Sequence, residues 1–591
     1  MALFFNLALS AASLAPPAQS LAGKTVAVVG GGVGGLVSAG LLARRGGAVT
    51  VFEQRSTIGG RLGEKCLGPP DQQWRFDTGP SLLLMPEVYR QTFELLGDPE
   101  PLEMRQVAAP FYHAFFGSDP PGTAAIQLDP ARCRDAFAEA LERLEGRPGD
   151  SMERFDRYMA GATAALDGGW PLAIEERWDW KTVASVLPAF ARSALRNFPA
   201  NLPVGQSHMD QLRRYFPHSD KVRALLSFQD LYVGLSPYEA PAVFSLLQAM
   251  ELDATSPQYG VRYPVGGFGR VREKLAAQCA RLGVDVRTGV AVRQIEISGA
   301  AEGATEGAAE GGEVGDVSRE GAYAAAGVRI QGADGTESTF AADIVLCNAD
   351  VPVAEEHLLP PSLSRASELR NAASSSSVVS LSFALDAQFA DALAHHTIVF
   401  AKDLGPTLWE SLFGARRLNS FLPVAAGPSW SPGHFYVHCP TRTDPSAAPA
   451  GCDAITVLLP TPPLPVGLSD AEAEALSDEW AAVGRASVVE RLARLPGMAE
   501  WTQSIRHESM ITPAQWRREY ALSRGAVFGL ASGLNQLSLL RPGPRHPRVR
   551  NLYFAGASAR PGNGVPLVMC GARLTSDAIV KDCGSPGTKR R

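Results

Sequence analysis

The sequence predicts an α/β fold that begins with a strand, a glycine-rich turn, a helix and a second strand. The run Thr25–Val29 is short, apolar and β-branched, which is typical of a buried parallel strand. Glycines follow at positions 30, 32 and 35, and then an apolar stretch of helical period that ends near Arg45. A second strand, Ala48–Glu53, ends in a carboxylate 23 residues beyond Gly30. This order of elements predicts a Rossmann-like unit.

The glycines of this unit have separate physical roles. Gly30 allows the tight turn, Gly32 lets the backbone approach a diphosphate, and Gly35 lets the helix pack closely on the strand. The start of the helix offers unpaired N–H groups and a positive dipole end to the same diphosphate. Glu53 lies where an acceptor for a ribose hydroxyl is expected. These features together predict a dinucleotide site, and an ordinary strand–turn–helix without a ligand is the less favoured interpretation.

A second glycine pair indicates which dinucleotide to expect. Gly59, Gly60 and Arg61 closely follow the second strand, and the guanidinium of Arg61 offers a fork of donors to diphosphate oxygens. A nicotinamide enzyme does not need a second clamp so near the first, whereas a flavin enzyme, whose cofactor extends through the protein, does. The arrangement resembles the flavin-containing amine oxidase superfamily and its carotenoid desaturase branch.

Further segments narrow the resemblance to phytoene desaturases of the bacterial and fungal type. They follow that family's order from about Lys24 to Val580, which is almost the whole chain. The chain departs from the family at Ala559 and Arg560, where many members carry Thr-His, so turnover or product would differ if this pair contacts substrate or flavin. The resembling segments are 76–89, 231–241, 263–269, 512–530 and 551–566.

The resemblance implies an FAD-dependent dehydrogenation of phytoene or a related carotenoid precursor. It names no catalytic acid or base; Arg560, Asp230 and Glu239 lie in the resembling motifs and are the candidates, although acids in loops are more often caps or solvated. The implied FAD contacts are Gly30, Gly32, Gly34, Gly35, Glu53, Gln54, Gly59, Gly60, Arg61, Gly79, Pro80, Ser81, Val292, Gly556, Ala557, Gly564 and Val565.

The chain, at 591 residues, is too long for one compact core, so two domains are expected. We expect an FAD-binding domain assembled from residues 24–100, 255–355 and 541–583. Residues 299–327 within it are rich in Gly, Ala and Glu and predict a disordered loop between two strands. Residues 101–254 and 356–540 are expected to form an α+β substrate domain with a hydrophobic tunnel.

Composition excludes several classes of function. Lys and Arg number 55 against 61 Asp and Glu, a net charge of −6, so nucleic acid is not an expected partner. Eight scattered cysteines contain no CxxC pair, which is typical of reduced thiols and argues against a dithiol reductase. Ten histidines show no ligand spacing, so no metal site is expected.

Two observations concern location. No run of 18 apolar residues is present, so no membrane-spanning segment is expected. Residues 1–23 lack the basic start of a secretory signal, but their uncharged Ala/Ser/Leu tract favours a targeting segment. A plastid is the preferred destination, and association with a cytoplasmic membrane is the alternative.

The implied substrate has almost no polar atoms, so an apolar lining must recognise it. A bilayer interior is equally apolar, and we therefore expect peripheral docking on a membrane. Residues 180–198 could supply an apolar patch, although ordinary core packing is the favoured interpretation of that stretch. The glycines at 266–269 lack the spacing of a second nicotinamide unit, so oxygen or a quinone is the expected electron acceptor.

The sequence leaves three alternative functions open. A carotenoid cis–trans isomerase would use reduced flavin without net redox change. An amine-oxidase-like enzyme would need an aromatic pair at the flavin face and a polar entry. A flavoprotein without catalytic activity would bind the cofactor alone.

Overall fold

The computed structural model describes residues 19–98, 100–146, 149–169, 206–253, 260–299, 323–370, 372–413, 430–536 and 540–584. The predicted targeting segment, apart from residues 19–23, and the stretch 180–198 lie outside these residues. The strands are β1 (Thr25–Val29), β2 (Ala48–Glu53), β3 (Glu64–Leu67), β4 (Trp74–Asp77), β5 (Met104–Gln106), β6 (Tyr112–Phe116), β7 (Ile126–Leu128), β8 (Arg262–Pro264), β9 (Asp285–Thr288), β10 (Ala291–Ser298), β11 (Tyr323–Gln331), β12 (Glu337–Ala341), β13 (Ile344–Cys347), β14 (Ser377–Leu385), β15 (His396–Phe400), β16 (Phe435–His438), β17 (Asp453–Thr461), β18 (Ile505–Ile511), β19 (Val549–Arg550) and β20 (Leu552–Phe554). The α-helices are α1 (Val33–Arg44), α2 (Pro86–Leu95), α3 (Arg134–Glu145), α4 (Ser151–Gly169), α5 (His208–Tyr215), α6 (Asp220–Leu225), α7 (Leu246–Leu252), α8 (Gly269–Arg281), α9 (Val351–His357), α10 (Ala366–Arg370), α11 (Pro406–Phe413), α12 (Asp470–Leu492), α13 (Pro513–Tyr520) and α14 (Val565–Cys583).

A five-stranded parallel sheet lies at the centre of the nucleotide-binding half. Its strand order is β20-β13-β1-β2-β9, and every neighbouring pair is parallel. Numbered by position along the chain, this is the 3-2-1-4-5 order of a Rossmann sheet, so the predicted α/β fold is confirmed. The order reverses between β1 and β13, and the carboxyl ends of strands at such a reversal border a ligand crevice.

A seven-stranded sheet forms the core of the other half. Its order is β18-β14-β17-β16-β15-β6-β7, with antiparallel neighbours except for the parallel pair β15 and β6. All its strands come from the two segments expected to form the substrate domain, and all five parallel strands come from the expected FAD-binding segments. The short ladder of β5 and β8 joins the two sets. The domain boundaries stay a prediction.

The prediction of a disordered loop over residues 299–327 is wrong for the carboxyl-terminal end of that stretch. Strand β11 begins at Tyr323 and pairs with both β10 and β12. Its small residues lie there because the strands pack closely: Ala325 is 3% exposed, and a Cβ at Gly327 would lie 2.2 Å from the carbonyl oxygen of Phe340. Small side chains therefore belong to this strand's packing and do not indicate disorder. Residues 300–322 lie outside the described part of the chain.

Two further properties concern the described residues only. None of their helices is both long and apolar enough to cross a bilayer. No group of three His, Cys, Asp or Glu side chains within them is arranged to hold a metal ion. All eight cysteines are free thiols.

Candidate active site

Two adjoining cavities lie between the parallel sheet and the seven-stranded sheet. The first, which we name the nucleotide cavity, has a volume of about 340 Å³ and opens at the carboxyl ends of β1 and β13. The second, the apolar cavity, has a volume of about 380 Å³. The cavities share one wall and therefore adjoin. The shared residues are Gly79, Pro80, Val378, Leu458, Phe528, Asn563, Gly564 and Val565.

The predicted cofactor residues converge on the nucleotide cavity, although they come from separate parts of the chain. Only Gly35 and Ser81 of the predicted set are not in its wall. The predicted residues that line it are Gly30, Gly32, Gly34, Glu53, Gln54, Gly59, Gly60, Arg61, Gly79, Pro80, Val292, Gly556, Ala557, Gly564 and Val565.

The turn after β1 has the geometry that its glycines predict. Gly30 adopts a φ of +93°, which other residues rarely adopt, and its N–H donates to the carbonyl of Phe52. A Cβ at Gly35 would lie 2.1 Å from the carbonyl oxygen of Gly30, so this position needs glycine for packing although it faces no ligand. The buried carboxylate of Glu53 accepts hydrogen bonds from Gly31 N and Arg55 N, both at 2.9 Å. The carboxylate therefore holds the turn and keeps further acceptor capacity towards the cavity.

A cation and a carboxylate, Arg61 and Asp350, lie in the wall of the nucleotide cavity. The guanidinium of Arg61 donates to the carbonyl of Val527, and burial lowers its pKa while the nearby Asp350 opposes that shift. Burial raises the pKa of Asp350, which accepts hydrogen bonds from Ser523 N at 3.0 Å and from the hydroxyl of Ser558. The carboxylate therefore favours the charged form of Arg61, which an anionic diphosphate would need.

Asn348 and Asp350 line the nucleotide cavity but were not predicted from the sequence as cofactor contacts. The side-chain amide of Asn348 donates to the carbonyl of Gly30 at 3.3 Å. A Cβ at Gly34 would lie 2.3 Å from Asn348 Oδ1, so Asn348 can occupy this place only when residue 34 is glycine. The sequence did contain a signal for both residues, because they directly follow a buried strand. Strand ends at the point where the strand order reverses border the ligand crevice.

The apolar cavity is lined almost wholly by hydrocarbon and aromatic side chains. Among the described residues, its wall contains no Asp, Glu, Lys or Arg. Ser81 lies here and accepts a hydrogen bond from the Tyr436 hydroxyl at 2.9 Å. Side chains that form this wall include Leu82, Leu84, Leu166, Phe228, Leu231, Tyr232, Val243, Phe244, Leu246, Leu247, Met250, Ile398, Leu408, Trp409, Leu412 and Tyr436.

The three candidates for proton transfer lie elsewhere. Asp230 is fully buried and its Oδ2 lies 2.7 Å from Nδ1 of His208. Glu239 accepts a hydrogen bond from the hydroxyl of Ser236 at 3.3 Å, and Arg560 borders a separate polar depression. None of the three is among the described residues that line either cavity.

The nucleotide cavity fits an extended dinucleotide. The glycine turn, Arg61 and the start of α14 all lie in its wall. A Cβ at Gly564 would meet no protein atom within 4 Å, so the backbone there borders space that the protein leaves open. The positive end of α14 faces this space and stabilises negative charge by about 0.3–1 kcal/mol.

Comparison with known proteins agrees with this geometry. The family described as flavin containing amine oxidoreductase matches residues 33–575. The chain belongs to this family. It is 31% identical to the phytoene desaturase of Fusarium fujikuroi over 95% of this chain and 90% of that protein. It is also 31% identical to the zeta-carotene-forming phytoene desaturase of Myxococcus xanthus, over 95% of each.

A solved structure of putrescine oxidase has the same fold, with a TM-score of 0.54 and 15% identity over 94% of this chain and 98% of that one. The protein is therefore an FAD-dependent oxidoreductase with a flavin amine oxidase-like fold, and the predicted family and cofactor are confirmed.

Proposed function

We propose that this protein desaturates phytoene or a closely related carotenoid precursor. The observation that carries the proposal is the apolar cavity, which contains no charged residue among those described and shares a wall with the nucleotide cavity. A long polyene offers only hydrocarbon surface, and burial of that surface is worth about 0.8 kcal/mol per CH₂ relative to water. The two relatives above, both named phytoene desaturases, match this chain over nearly its full length.

The residues around the nucleotide cavity are proposed as the FAD contacts. Glu53 would accept a hydrogen bond from a ribose hydroxyl, and the turn at Gly32 together with Arg61 would hold the diphosphate. Gly564 and Val565 at the start of α14 would face the ring system, because they line both cavities. Gly35 and Ser81 would act indirectly, the first through helix packing and the second through the wall of the apolar cavity.

FAD supplies the hydride acceptor for dehydrogenation. The protein positions the substrate against it and keeps water out of the site. Residues of the shared wall, such as Val378, Leu458 and Phe528, would hold a C–H bond of the substrate against the cofactor. The hydrocarbon wall excludes water from this contact. A proton must also leave the neighbouring carbon, and the wall must provide a path for it.

The amine-oxidase alternative is disfavoured by the same wall. A protonated amine would need an acidic partner or a polar entry, and no carboxylate is present among the described residues that line the apolar cavity. The isomerase alternative would use the same apolar cavity, so experiment must separate it from desaturation.

Peripheral membrane association belongs to the same proposal. Transfer of a polyene from a bilayer to an apolar cavity exchanges one hydrocarbon environment for another, so little free energy is available to draw it through water. Docking of the cavity mouth on a lipid surface avoids that crossing. Oxygen or a quinone is the proposed electron acceptor, and the plastid location stays a prediction, since it depends on the first 23 residues.

The test is an anaerobic incubation of the purified, FAD-loaded protein with liposomes that contain phytoene. Desaturation predicts bleaching of the oxidised flavin together with a coloured product of extended conjugation. Exchange of cis and trans isomers only after chemical reduction of the flavin would instead identify an isomerase. Liposome flotation in the same experiment measures membrane association, and flavin that stays oxidised beside unchanged phytoene contradicts the proposal.

A further inference from the structure

We propose that Glu251 is the terminal acceptor of the proton that leaves the substrate, and that Tyr232 and Tyr112 conduct the proton to it. This inference rests on the proposed function and adds the group that completes the reaction. Tyr232 lines the apolar cavity, whereas Glu251 lies behind that wall on α7, the helix that also contributes Leu246, Leu247 and Met250 to the cavity.

The three side chains lie next to one another. The rings of Tyr112 and Tyr232 both contact the ring of Phe228, and Tyr112 lowers the pKa of Tyr232 against the rise that burial causes. The hydroxyl of Tyr112 donates to Glu251 Oε2 at 2.8 Å. Gln229 Nε2 donates to the same oxygen at 3.1 Å, so Oε2 is fixed by two donors. The path therefore leads from Tyr232 in the hydrocarbon wall, through the neighbouring Tyr112, to the carboxylate of Glu251.

Glu251 retains the capacity to take a proton. The residue is 0% exposed, and its Oε1 has no hydrogen-bond partner among the residues that the structure describes. An unpartnered oxygen on a buried carboxylate is costly when the group is charged, and protonation removes that cost. A structural carboxylate would be expected to have both oxygens satisfied, whereas a group that gains and loses a proton needs one oxygen available.

The surroundings of Glu251 favour a change of protonation close to neutral pH. Burial raises the pKa of Glu251 to about 7, and the hydrogen bonds from Gln229 and Tyr112 limit the rise. Within the described part of the chain, three tyrosines interact electrostatically with Glu251: Tyr112 from β6, Tyr232 from the turn before Gly234, and Tyr436 from β16. His396 lies against the ring of Tyr112, and burial lowers its pKa well below the usual value, so it is neutral.

One C–H bond of the substrate breaks and its hydride is accepted by FAD, which is the oxidant. The neighbouring C–H bond breaks as its electron pair forms the new C=C bond, and its proton passes to the oxygen of Tyr232. The hydroxyl proton of Tyr232 moves to Tyr112, and that of Tyr112 moves to the carboxylate of Glu251. Both phenols end neutral, and Glu251 ends protonated until it releases the proton between turnovers.

The experiment measures the anaerobic rate of flavin bleaching by phytoene in liposomes between pH 5.5 and 8.5. A polyene has no titratable group. A rise of the rate with pH, here called the pH limb, therefore reports the ionisation of groups in the holoenzyme. The wild-type rate is expected to rise with pH through about 7, as Glu251 becomes a carboxylate. Glu251→Gln keeps the size of the side chain and should slow bleaching about 100-fold at pH 8, within the usual range for proton transfer groups, and abolish the limb. Glu251→Asp, which restores a carboxylate, should recover part of the rate and a shifted limb.

A second pair of variants keeps the test informative if Glu251→Gln loses FAD. Tyr232→Phe removes only the hydroxyl at the cavity wall and should abolish the same limb while the flavin content stays unchanged. Tyr89→Phe is the matched control, because Tyr89 is fully buried, its hydroxyl has no partner among the described residues, and it lines neither cavity.

A wild-type rate and pH limb in Glu251→Gln or in Tyr232→Phe would overturn the proton path while desaturation itself stands. Wild-type protein that leaves phytoene unchanged would overturn the proposed function, and the proton path with it.

Discussion

Gly35 shows how one missing side chain shapes the nucleotide cavity without facing it. A Cβ there would lie 2.1 Å from the Gly30 carbonyl oxygen, and backbone cannot move aside as a flexible side chain can. We expect Gly35→Ala to lower the stability of the protein by about 1–3 kcal/mol, as overpacking does. The displaced glycine turn should also reduce bound FAD. Thermal unfolding and the flavin absorbance of purified protein measure the two effects.

Gly40→Ala on the same helix is the matched control for this prediction. Its Cβ would come too close only to the end of the Leu96 side chain, at 2.6 Å, and that side chain can shift. The replacement also favours helix, by about 0.5–1 kcal/mol. Equal flavin content in the two variants would contradict the packing role of Gly35.

Asp77 predicts a pH dependence of stability at the residue scale. Its side chain is 5% exposed and accepts hydrogen bonds from Tyr263 at 2.6 Å and Phe268 N at 2.7 Å. Burial nevertheless raises its pKa to about 6. Because the folded pKa lies above the unfolded one, the native state binds the proton more readily, and ionisation between about pH 4 and 6 destabilises it.

Asp77→Asn removes this ionisation, so wild-type protein should lose stability relative to the variant as pH rises from 4 to 6. The relative loss should reach about 3 kcal/mol, since each pKa unit is worth about 1.4 kcal/mol. Thermal unfolding of both proteins at several pH values gives the difference. A difference that does not change across this range would show that Asp77 is not responsible.

At the element scale, helix α12 begins with a capping box that the structure makes explicit. Ser469 Oγ accepts from Glu472 N at 3.3 Å, and Glu472 Oε2 accepts from Ser469 N at 2.9 Å. Ser469→Ala should lower stability by about 1 kcal/mol. Flavin content and turnover should not change, because α12 contributes no described residue to either cavity wall.

Ser487→Ala, inside the same helix, is the control, since alanine favours a helix interior and no cap is lost there. Thermal unfolding of both variants measures the contrast. A Ser487→Ala protein destabilised as much as Ser469→Ala would assign the effect to something other than the cap.

Elements with a strong local pattern were predictable, and those held by packing were not. Strand β2 has the predicted bounds, Ala48–Glu53, because a short run of apolar and β-branched residues is a local property of the sequence. Strand β11 was missed because Ala and Gly have low strand preference, and only the close approach of β10 and β12 makes them suitable there. Packing against a neighbouring strand produces no periodic pattern of residues in the sequence.

For the whole molecule, the decisive feature is the uncharged wall of the apolar cavity. Val243→Asp places a carboxylate in that wall, and burial of a charge against hydrocarbon is unfavourable by several kcal/mol. We expect phytoene turnover to fall about 100-fold, equivalent to about 2.7 kcal/mol, while bound FAD is retained.

Val466→Asp is the matched control for the cavity prediction, because Val466 is 59% exposed and lies outside both cavities. It should leave flavin bleaching by phytoene in liposomes unchanged. Undiminished turnover in Val243→Asp would mean that the substrate does not occupy the apolar cavity.

By itself, the sequence determined the βαβ unit, the flavin family and fifteen of the residues that line the nucleotide cavity. These follow from glycine, acid and arginine spacings within short segments, where the chemistry of the turn requires particular residue types. Only the tertiary structure brought Asn348 and Asp350 to the cavity, separated Arg560, Asp230 and Glu239 from it, and placed Tyr112 beside Glu251, 139 positions away along the chain. Contacts over such separations depend on how sheets and helices pack, and no local pattern in the chain records them.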